Sequence, residues 1–327
     1  MSRPKLFSTH VLYEEPRRLL AEHFDIEYWT EGERPARPEI LRRVAGKDAL
    51  ICLLTEKVDR ELLDAAGPNL RIVANVAVGY DNIDVPACTE RNVAVSNTPG
   101  VLDETTADFT WTLLLAVARR LVEGDRLARS GGWHQWNFDL LCGTDIWGKT
   151  LGIVGMGRIG RAVARRASGF RMHVIYSGTS RAPLEIEREL HAEYMTQDQL
   201  LQRADFVSLH VPLNAKTRGL IGHDELAKMK RTAFLINTTR GPVVQEAALV
   251  QALDEGVIAG AALDVFEREP LISDGLRRDN VVLAPHLGSA SIETRTKMAM
   301  IAAENAIAFF EGKRPPTLLN PEVWRQG

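Results

Sequence analysis

Short apolar segments alternate with amphipathic, helix-like segments along almost the whole chain of 327 residues. Strand candidates in the first hundred residues are KLFS, ALICLL, RIVANVAV and VAVSN. A second series consists of TLGIVG, HVIYS, FVSLHV, AFLINT, GAALDVF and VVLAPH. This alternation is typical of parallel sheets covered by helices on both faces. The sequence therefore predicts an α/β protein built on doubly wound parallel sheets.

The length predicts about two domains, because a single core rarely grows to this size. A long helical region from Leu102 to Ser130 separates the two series of strands, and a final helix ends at Gly312 with prolines beyond it. We expect ordered crossings near NTPGVLD and HLGSAS, which are rich in turn-forming residues. The predicted division is 1–98 and 288–327 in one domain, with 99–287 inserted between them.

Composition and charge exclude several classes of protein. The net charge of −3 gives no electrostatic reason to bind nucleic acid or an anionic membrane. Three scattered cysteines show no metal-ligand spacing and indicate reduced thiols in the cytoplasm. The chain starts without the apolar run of a signal peptide. Its most apolar stretch, Phe109 to Ala118, is far shorter than the roughly 20 residues that a bilayer needs.

A glycine fingerprint, GIVGMGRIG, lies between an apolar strand and a helical pattern. Gly155 permits a tight turn, Gly157 allows a pyrophosphate to approach the backbone, and Gly160 allows the helix to pack closely on the strand. The helix N-terminus then offers N–H groups and a positive dipole end to phosphates. We predict dinucleotide binding here; a merely tight turn between strand and helix is the alternative.

Three further polar groups follow predicted strands. Arg240 follows FLINTT, Asp264 leads to Glu269 in ALDVFEREP, and His286 follows VVLAP. Singly, each has a plain interpretation as a surface, loop or structural residue. Together they supply a cation for a carboxylate, an acid–base histidine and a carboxylate to orient it, which are the groups needed to reduce a 2-oxo acid.

The chain resembles the D-2-hydroxyacid dehydrogenases, and most closely their glyoxylate/hydroxypyruvate reductase branch. The resemblance runs nearly end to end, through NVAVGYDNID, NTPGVLDETTAD, GGWHQW, GKTLGIVGMGRIG, INTTRGPVV, ALDVFEREP and LAPHLGSAS. It implies a Rossmann cofactor domain inserted into a flavodoxin-like substrate domain. Two positions depart from the usual family pattern, Thr239 in place of alanine or serine and Gln245 in place of asparagine or aspartate.

The resemblance also implies roles for individual residues. Arg240 would bind the substrate carboxylate and carbonyl, His286 would be the general acid, and Glu269 would pair with it. Backbone N–H groups of Val78 and Gly79 would bind the carboxylate. Further residues match positions of the family's cofactor pocket: Thr106, Met156, Arg158, Ile159, His210, Pro212, Thr238, Thr239, Asp264, which would hold the nicotinamide carboxamide, and Gly288.

The segment VIYSGTSR predicts the choice of cofactor. Ser177 stands where an NAD enzyme usually has an acid that binds the ribose 2′-hydroxyl and repels a 2′-phosphate. Ser177, Thr179 and Ser180 can donate hydrogen bonds, and Arg181 can pair with a phosphate. We therefore expect NADPH to be preferred and NADH to be possible. The alternative is a solvated loop in an enzyme that accepts both cofactors.

The resulting hypothesis is NADPH-dependent reduction of glyoxylate or hydroxypyruvate to glycolate or D-glycerate. Another NAD(P)-dependent D-2-hydroxyacid dehydrogenase remains possible, as does a dinucleotide-sensing protein similar to the corepressors that share this architecture. The resemblance also implies a homodimer, in which the segment around Trp133 and Trp136 crosses to the second subunit and Trp136 reaches the partner's active site.

Overall fold

The computed structural model describes residues 3–32 and 34–324. Contacts divide the described chain into two compact units. One runs up to Leu102 and resumes at Ala290, and the other is the continuous segment Asp103–Ser289. The sequence-based boundaries, after residues 98 and 287, fall a few residues earlier in the chain.

The first unit contains a five-stranded, fully parallel sheet with the order β2-β1-β3-β4-β5. Its strands are β1 (Lys5–Ser8), β2 (Asp25–Tyr28), β3 (Ala49–Cys52), β4 (Ile72–Asn75) and β5 (Ala94–Ser96). Every residue of β3 and β4 is buried, as expected for inner strands of a sheet covered on both faces. Its helices are α1 (Glu14–His23), α2 (Arg37–Val44), α3 (Arg60–Ala66), α4 (Val85–Glu90) and α12 (Ile292–Phe310), with a final 3₁₀ turn at Pro321–Val323.

Helix α12 brings the distal part of the chain back onto this sheet. Ser291 caps its N-terminus by accepting a hydrogen bond from the Thr294 N–H, and the ring of Phe310 lies 5.4 Å from that of Phe24, just after α1. The segment after the helix reaches β5, where the Leu319 N–H donates to the Val95 carbonyl at 2.7 Å. The edge of the five-stranded sheet is therefore completed by distant residues.

The second unit contains a seven-stranded, fully parallel sheet with the order β12-β11-β10-β9-β6-β7-β8. Its strands are β6 (Thr150–Val154), β7 (His173–Ser177), β8 (Ala192–Tyr194), β9 (Phe206–Leu209), β10 (Phe234–Asn237), β11 (Gly260–Leu263) and β12 (Val281–Leu283). Its helices are α5 (Asp103–Ala118), α6 (Leu121–Arg129), α7 (Arg158–Ala167), α8 (Leu184–Leu190), α9 (Gln197–Arg203), α10 (His223–Lys228) and α11 (Glu246–Asp254), with 3₁₀ turns at Ser168–Phe170, Gly241–Val243 and Asp274–Leu276.

The strand order of this sheet reverses at β6. From β6 the chain moves outward to β7 and β8, then returns to β9 on the other side of β6 and continues to β12. Open α/β sheets bind ligands at such a reversal, outside the carboxyl ends of the strands. The glycine fingerprint follows β6 directly, so it lies at this point.

The predicted α/β class with two parallel sheets is confirmed, but two details differ from expectation. Strands β2 and β8 were not predicted; both are short edge strands with polar residues and little burial. The helical region after Leu102 is two helices, because Arg120 adopts a left-handed conformation with a φ of 52°. Among the described residues, no helix combines the length and apolar character required to cross a bilayer.

Candidate active site

A histidine and a glutamate form a pair at the carboxyl edge of the seven-stranded sheet. His286 follows β12, Glu269 follows β11, and His286 Nδ1 lies 2.8 Å from Glu269 Oε2. The backbone of His286 has a φ of 57°, a region that residues other than glycine adopt uncommonly and that is enriched at functional sites. Its N–H donates to the Asp264 carbonyl at 2.9 Å. Since Nδ1 faces the glutamate, Nε2 is the ring atom that can exchange a proton with a substrate.

The environment of Glu269 keeps this carboxyl ionised. Burial opposes ionisation, but the hydrogen bond and charge of His286, the Phe266 N–H at 3.0 Å and the charge of Arg240 outweigh it. The pKa of Glu269 is therefore lowered from its ordinary value. An ionised carboxylate accepts the hydrogen bond from Nδ1–H and so fixes the orientation of the His286 ring.

Arg240 lies in a turn that Asn237 shapes. The buried Asn237 side chain, at the end of β10, donates to the Arg240 carbonyl at 3.1 Å and accepts from the Thr239 N–H at 3.0 Å. The next residue must be glycine, because a Cβ on Gly241 would lie 1.8 Å from the Phe266 carbonyl carbon. The turn after β10 therefore packs directly against the segment that leads to Glu269.

Asp264 ties two strand ends together. Its carboxylate accepts hydrogen bonds from the Leu287 N–H at 2.6 Å and the Gly288 N–H at 2.8 Å, directly after His286. The residue is 1 % exposed, and burial raises the pKa of its carboxyl to about 6. In the ionised form both oxygens accept, so this side chain holds the histidine turn in place.

Helix α5 contributes two threonines to the same edge. Thr110 Oγ1 donates to the Thr106 carbonyl at 2.8 Å and lies 3.0 Å from Thr238 Oγ1. A Cβ on Gly288 would lie 3.5 Å from Thr106 Cγ2 and 3.2 Å from Asp264 Oδ2. The structure therefore brings together the predicted residues Thr106, Thr238, Asp264 and Gly288.

The glycine fingerprint has the geometry that a pyrophosphate requires. Gly155 has a φ of 102°, and a Cβ there would lie 2.5 Å from the His210 carbonyl oxygen. A Cβ on Gly160 would lie 2.2 Å from the Gly155 carbonyl oxygen, so α7 packs tightly on the turn. A Cβ on Gly157, which precedes α7, would meet no atom within 4 Å. The backbone at Gly157 is therefore accessible to a ligand, whereas Gly155 and Gly160 pack against neighbouring backbone.

His210 is a neutral histidine at the end of β9, the strand that neighbours β6 on the side opposite to β7. Its Nε2 lies 2.8 Å from Ser208 Oγ, and burial lowers the pKa of the ring to about 3. Its Nδ1 is buried with no hydrogen-bond partner, and the same holds for Ser177 Oγ at the end of β7. Two unsatisfied polar atoms flanking the glycine turn fit a polar ligand at this place.

The remaining predicted cofactor residues follow the ends of β6, β9 and β10. Met156 and Ile159 pack into the core beside α7, whereas Arg158 is exposed and its Nε lies 3.4 Å from Asp103 Oδ2. The Pro212 carbonyl accepts from Thr217 Oγ1 at 2.5 Å. Thr239 Oγ1 donates to Asn237 at 2.7 Å, so the threonine that departs from the family pattern supports the Arg240 turn.

The segment after β7 has an internal network that the sequence did not reveal. Thr179 and Ser180 are exposed, whereas Ser177 is buried. Arg181 donates from Nε and Nη2 to the two oxygens of Glu187 in α8, both at 2.8 Å. The predicted phosphate ligand therefore already has an anionic partner within the chain.

Val78 and Gly79 belong to the first unit, in the segment after β4. The Asn97 side chain donates to the Val78 carbonyl at 2.8 Å, and the Asn75 side chain donates to the Gly79 carbonyl at 3.0 Å. Two asparagines at neighbouring strand ends therefore fix this backbone.

Trp136 lies between α6 and β6, outside the segments that follow β10, β11 and β12. We call residues 131–147 the aromatic segment, because four of its large side chains are exposed: Trp133 by 55 %, Trp136 by 74 %, Phe138 by 87 % and Trp147 by 63 %. It contains neither helix nor strand.

The sequence assigned no role to three residues that bond to predicted site residues: Asn237 to Arg240, Ser208 to His210 and Glu187 to Arg181. Asn237 was visible as a polar residue ending an apolar strand, and Ser208 as a serine within one. Glu187 gave no signal, because acidic residues are common in the first turns of helices. Its partners became evident only from the fold.

Comparison with known proteins agrees with this geometry. The sequence profile of the D-isomer-specific 2-hydroxyacid dehydrogenase NAD-binding domain matches residues 111–288. A glyoxylate reductase of Korarchaeum cryptofilum is 52 % identical over 324 residues, which cover 98 % of this chain and 97 % of that protein. The chain belongs to the D-2-hydroxyacid dehydrogenase family.

Solved structures of relatives share the same fold. The crystal structure of an NADPH-dependent glyoxylate/hydroxypyruvate reductase from Sinorhizobium meliloti, in complex with NADP and malonate, has a TM-score of 0.86 and 34 % identity. The alignment covers 100 % of this chain and 99 % of that one. As a member of this family, the chain is an NAD(P)-dependent oxidoreductase, and the predicted resemblance is confirmed.

Proposed function

We propose that this protein reduces glyoxylate and hydroxypyruvate to glycolate and D-glycerate, with NADPH as the preferred cofactor and NADH as a possible one. The hydrogen-bonded pair of His286 and Glu269, beside Arg240 and at the same sheet edge as the glycine turn, carries the proposal. The names of relatives that are 52 % and 34 % identical support the substrate class.

The side chains divide the reaction between them. Arg240 binds the substrate carboxylate through its planar guanidinium and so orients the 2-oxo group. The nicotinamide cofactor supplies a hydride to the carbonyl carbon when bound. His286 Nε2 gives a proton to the carbonyl oxygen, and Glu269 stabilises the charged imidazole that precedes this transfer. One hydride and one proton together convert the 2-oxo acid to its hydroxy acid.

The glycine turn and Asp264 provide the cofactor site in this proposal. The open backbone at Gly157 and the N-terminus of α7 suit the pyrophosphate. Asp264, beside Gly288 and Thr106, suits the nicotinamide carboxamide, whose amide group can donate to a carboxylate.

The segment after β7 supports the preference for NADPH. Ser177 replaces the acid that would repel a 2′-phosphate, and the exposed Thr179, Ser180 and Arg181 can donate hydrogen bonds to it. One or two charge-assisted hydrogen bonds, at about 1.5–3 kcal/mol each, favour NADPH by about tenfold or more.

Steady-state kinetics with both cofactors test the proposed function. We expect oxidation of NADPH with glyoxylate and hydroxypyruvate, each at a higher kcat/KM than pyruvate, and a lower kcat/KM when NADH replaces NADPH. The Ser177→Asp, Arg181→Ala double variant is expected to prefer NADH, because it restores the acid and removes the cation. A clear preference for bulky 2-oxo acids contradicts the substrate class, and a higher kcat/KM with NADH contradicts the cofactor preference.

We also propose that two copies of the chain associate through the aromatic segment and α6. Besides the four exposed aromatic residues, Leu121 is 63 % exposed and Val122 is 43 % exposed. Several exposed large apolar side chains in two successive segments of the chain are typical of a protein interface.

Light scattering after gel filtration measures this association. We expect a mass near twice 36.3 kDa at micromolar concentration, and a shift toward one chain when Trp136 and Phe138 are both replaced by serine. Leu271→Ser is the matched control, since Leu271 is 70 % exposed outside the segment. A wild-type mass near 36.3 kDa contradicts the dimer.

A further inference from the structure

Four groups between Tyr176 and Glu187 form one hydrogen-bonded network. Tyr176 Oη donates to Glu187 Oε1 at 2.7 Å and accepts from the Ala182 N–H at 2.7 Å. Arg181 donates to both oxygens of the same carboxylate. Tyr176 is fully buried and Glu187 is 8 % exposed, whereas the Arg181 side chain is 58 % exposed. The network therefore connects the protein core to a cation at the surface.

The pairing leaves Arg181 able to bind an anion. A guanidinium carries five N–H donors, and the contacts with Glu187 use one on Nε and one on Nη2. The remaining three lie on Nη1 and on the outer side of Nη2, which together form a second edge suited to two phosphate oxygens. The bonds from Arg181 and Tyr176 lower the pKa of Glu187 to about 2, so the carboxylate remains ionised in any ordinary buffer.

We propose that Glu187 is a positioning residue that sets the cofactor preference, by holding Arg181 in the orientation that binds the 2′-phosphate. This inference rests on the proposed function, which assigns the phosphate to Arg181. An unrestrained arginine loses rotamer freedom when it binds a ligand, which weakens binding. Because Glu187 already orders the Arg181 side chain in the free protein, this entropic cost of binding is smaller. Tyr176 acts with it, because its hydroxyl fixes both the carboxylate and the backbone at Ala182.

The charge of Glu187 acts in the opposite direction, because a carboxylate repels a phosphate. Its two oxygens accept from Arg181 and the buried Tyr176, whereas 58 % of the Arg181 side chain is exposed to solvent. The repulsion therefore acts from beyond the guanidinium and is weakened by water and salt. We conclude that orientation outweighs repulsion, and that loss of Glu187 weakens selection for the 2′-phosphate.

Glu187→Gln tests this conclusion, since glutamine keeps the size of the side chain but offers an N–H to one of the arginine donors. We expect calorimetry on the cofactor-free protein to show about tenfold weaker binding of adenosine 2′,5′-bisphosphate and unchanged binding of 5′-AMP. In kinetics, KM for NADPH should rise by a similar factor, while kcat and KM for NADH change less than about twofold. A purely structural role would affect both nucleotides equally.

Glu189→Gln is the matched control, because Glu189 lies in the same helix and pairs with Arg165 at 3.3 Å on the exposed surface. It should change neither nucleotide's affinity. In an Arg181→Ala background, Glu187→Gln should have no additional effect on the ratio of affinities for the two nucleotides. This non-additivity is the evidence that Glu187 acts through Arg181.

Each remaining outcome has a defined meaning. If Arg181→Ala lowers affinity for the 2′-phosphate but Glu187→Gln leaves it unchanged or raises it, the positioning role is wrong and the assignment of Arg181 stands. If Arg181→Ala has no effect, the assignment of the phosphate to Arg181 and the role of Glu187 both fail. Should Glu187→Gln not fold, Tyr176→Phe must give a smaller loss in the same direction, and an unchanged affinity there overturns the inference.

Discussion

Replacing His286 with alanine is expected to lower kcat for glyoxylate reduction by roughly 10²–10⁴-fold, the usual contribution of a general acid. The cofactor's dissociation constant should change by less than about twofold, because the glycine turn and the segment after β7 remain intact. Stopped-flow measurement of kcat and fluorescence titration of NADPH separate the two effects. The backbone N–H of residue 286 donates to the Asp264 carbonyl, and the substitution keeps this hydrogen bond because it changes only the side chain.

His173→Ala is the matched control for this prediction. His173 is an exposed histidine at the start of β7, at the opposite end of the strand from Ser177. Its replacement should leave both kcat and cofactor binding unchanged. Turnover within a factor of about three of wild type in His286→Ala would show that the proton comes from another group.

Replacing Arg240 with alanine is expected to lower kcat/KM for glyoxylate by roughly 10²–10⁴-fold, which corresponds to two charge-assisted hydrogen bonds at about 1.5–3 kcal/mol each. Arg240→Lys should recover only part of this loss, because lysine restores the charge without the planar pair of donors. Initial rates over a range of glyoxylate concentrations give kcat and KM separately, and the Kd of NADPH should stay near the wild-type value.

Arg231→Ala provides the comparison for Arg240. Arg231 is exposed before β10, and its Nε donates to the Gly256 carbonyl at 3.3 Å. We expect its removal to leave kcat/KM unchanged. Equal losses in the two variants would indicate a general effect of surface charge on an anionic substrate, and full activity in Arg240→Lys would exclude recognition by the guanidinium fork.

The positions of the inner strands were readable from the sequence because burial on both faces requires apolar residues. FVSLHV and AFLINT correspond to β9 and β10, two fully buried strands. Edge strands need no such residues, and β2, with the sequence DIEY, therefore carries no comparable signal. The break at Arg120 was equally hidden, since a left-handed arginine leaves no mark on the hydrophobic pattern.

The residue types at the candidate site were predictable, whereas their mutual contacts were not. The strand-end rule placed Arg240, Glu269 and His286 at one sheet edge, because parallel strands end on the same side. The pairing of Arg181 with Glu187 depends on the rotation of α8 and on the path of the chain after Ser177. Neither can be derived from the spacing of residues. The sequence therefore predicted Arg181 as a phosphate ligand without revealing its ion pair with Glu187.

The completion of the five-stranded sheet by distant residues bears on how the protein is made. The Val95 N–H donates to Asn320 Oδ1, across a separation of 225 residues. Strand β5 pairs with β4, which is already translated, but the distal residues Leu319 and Asn320 that bond to Val95 are synthesised only after the whole second unit. Until then the surface that α12 covers stays exposed, and contacts of such long range form slowly. The inserted unit, as one continuous segment, can fold first, which makes the first domain to be translated the last to mature.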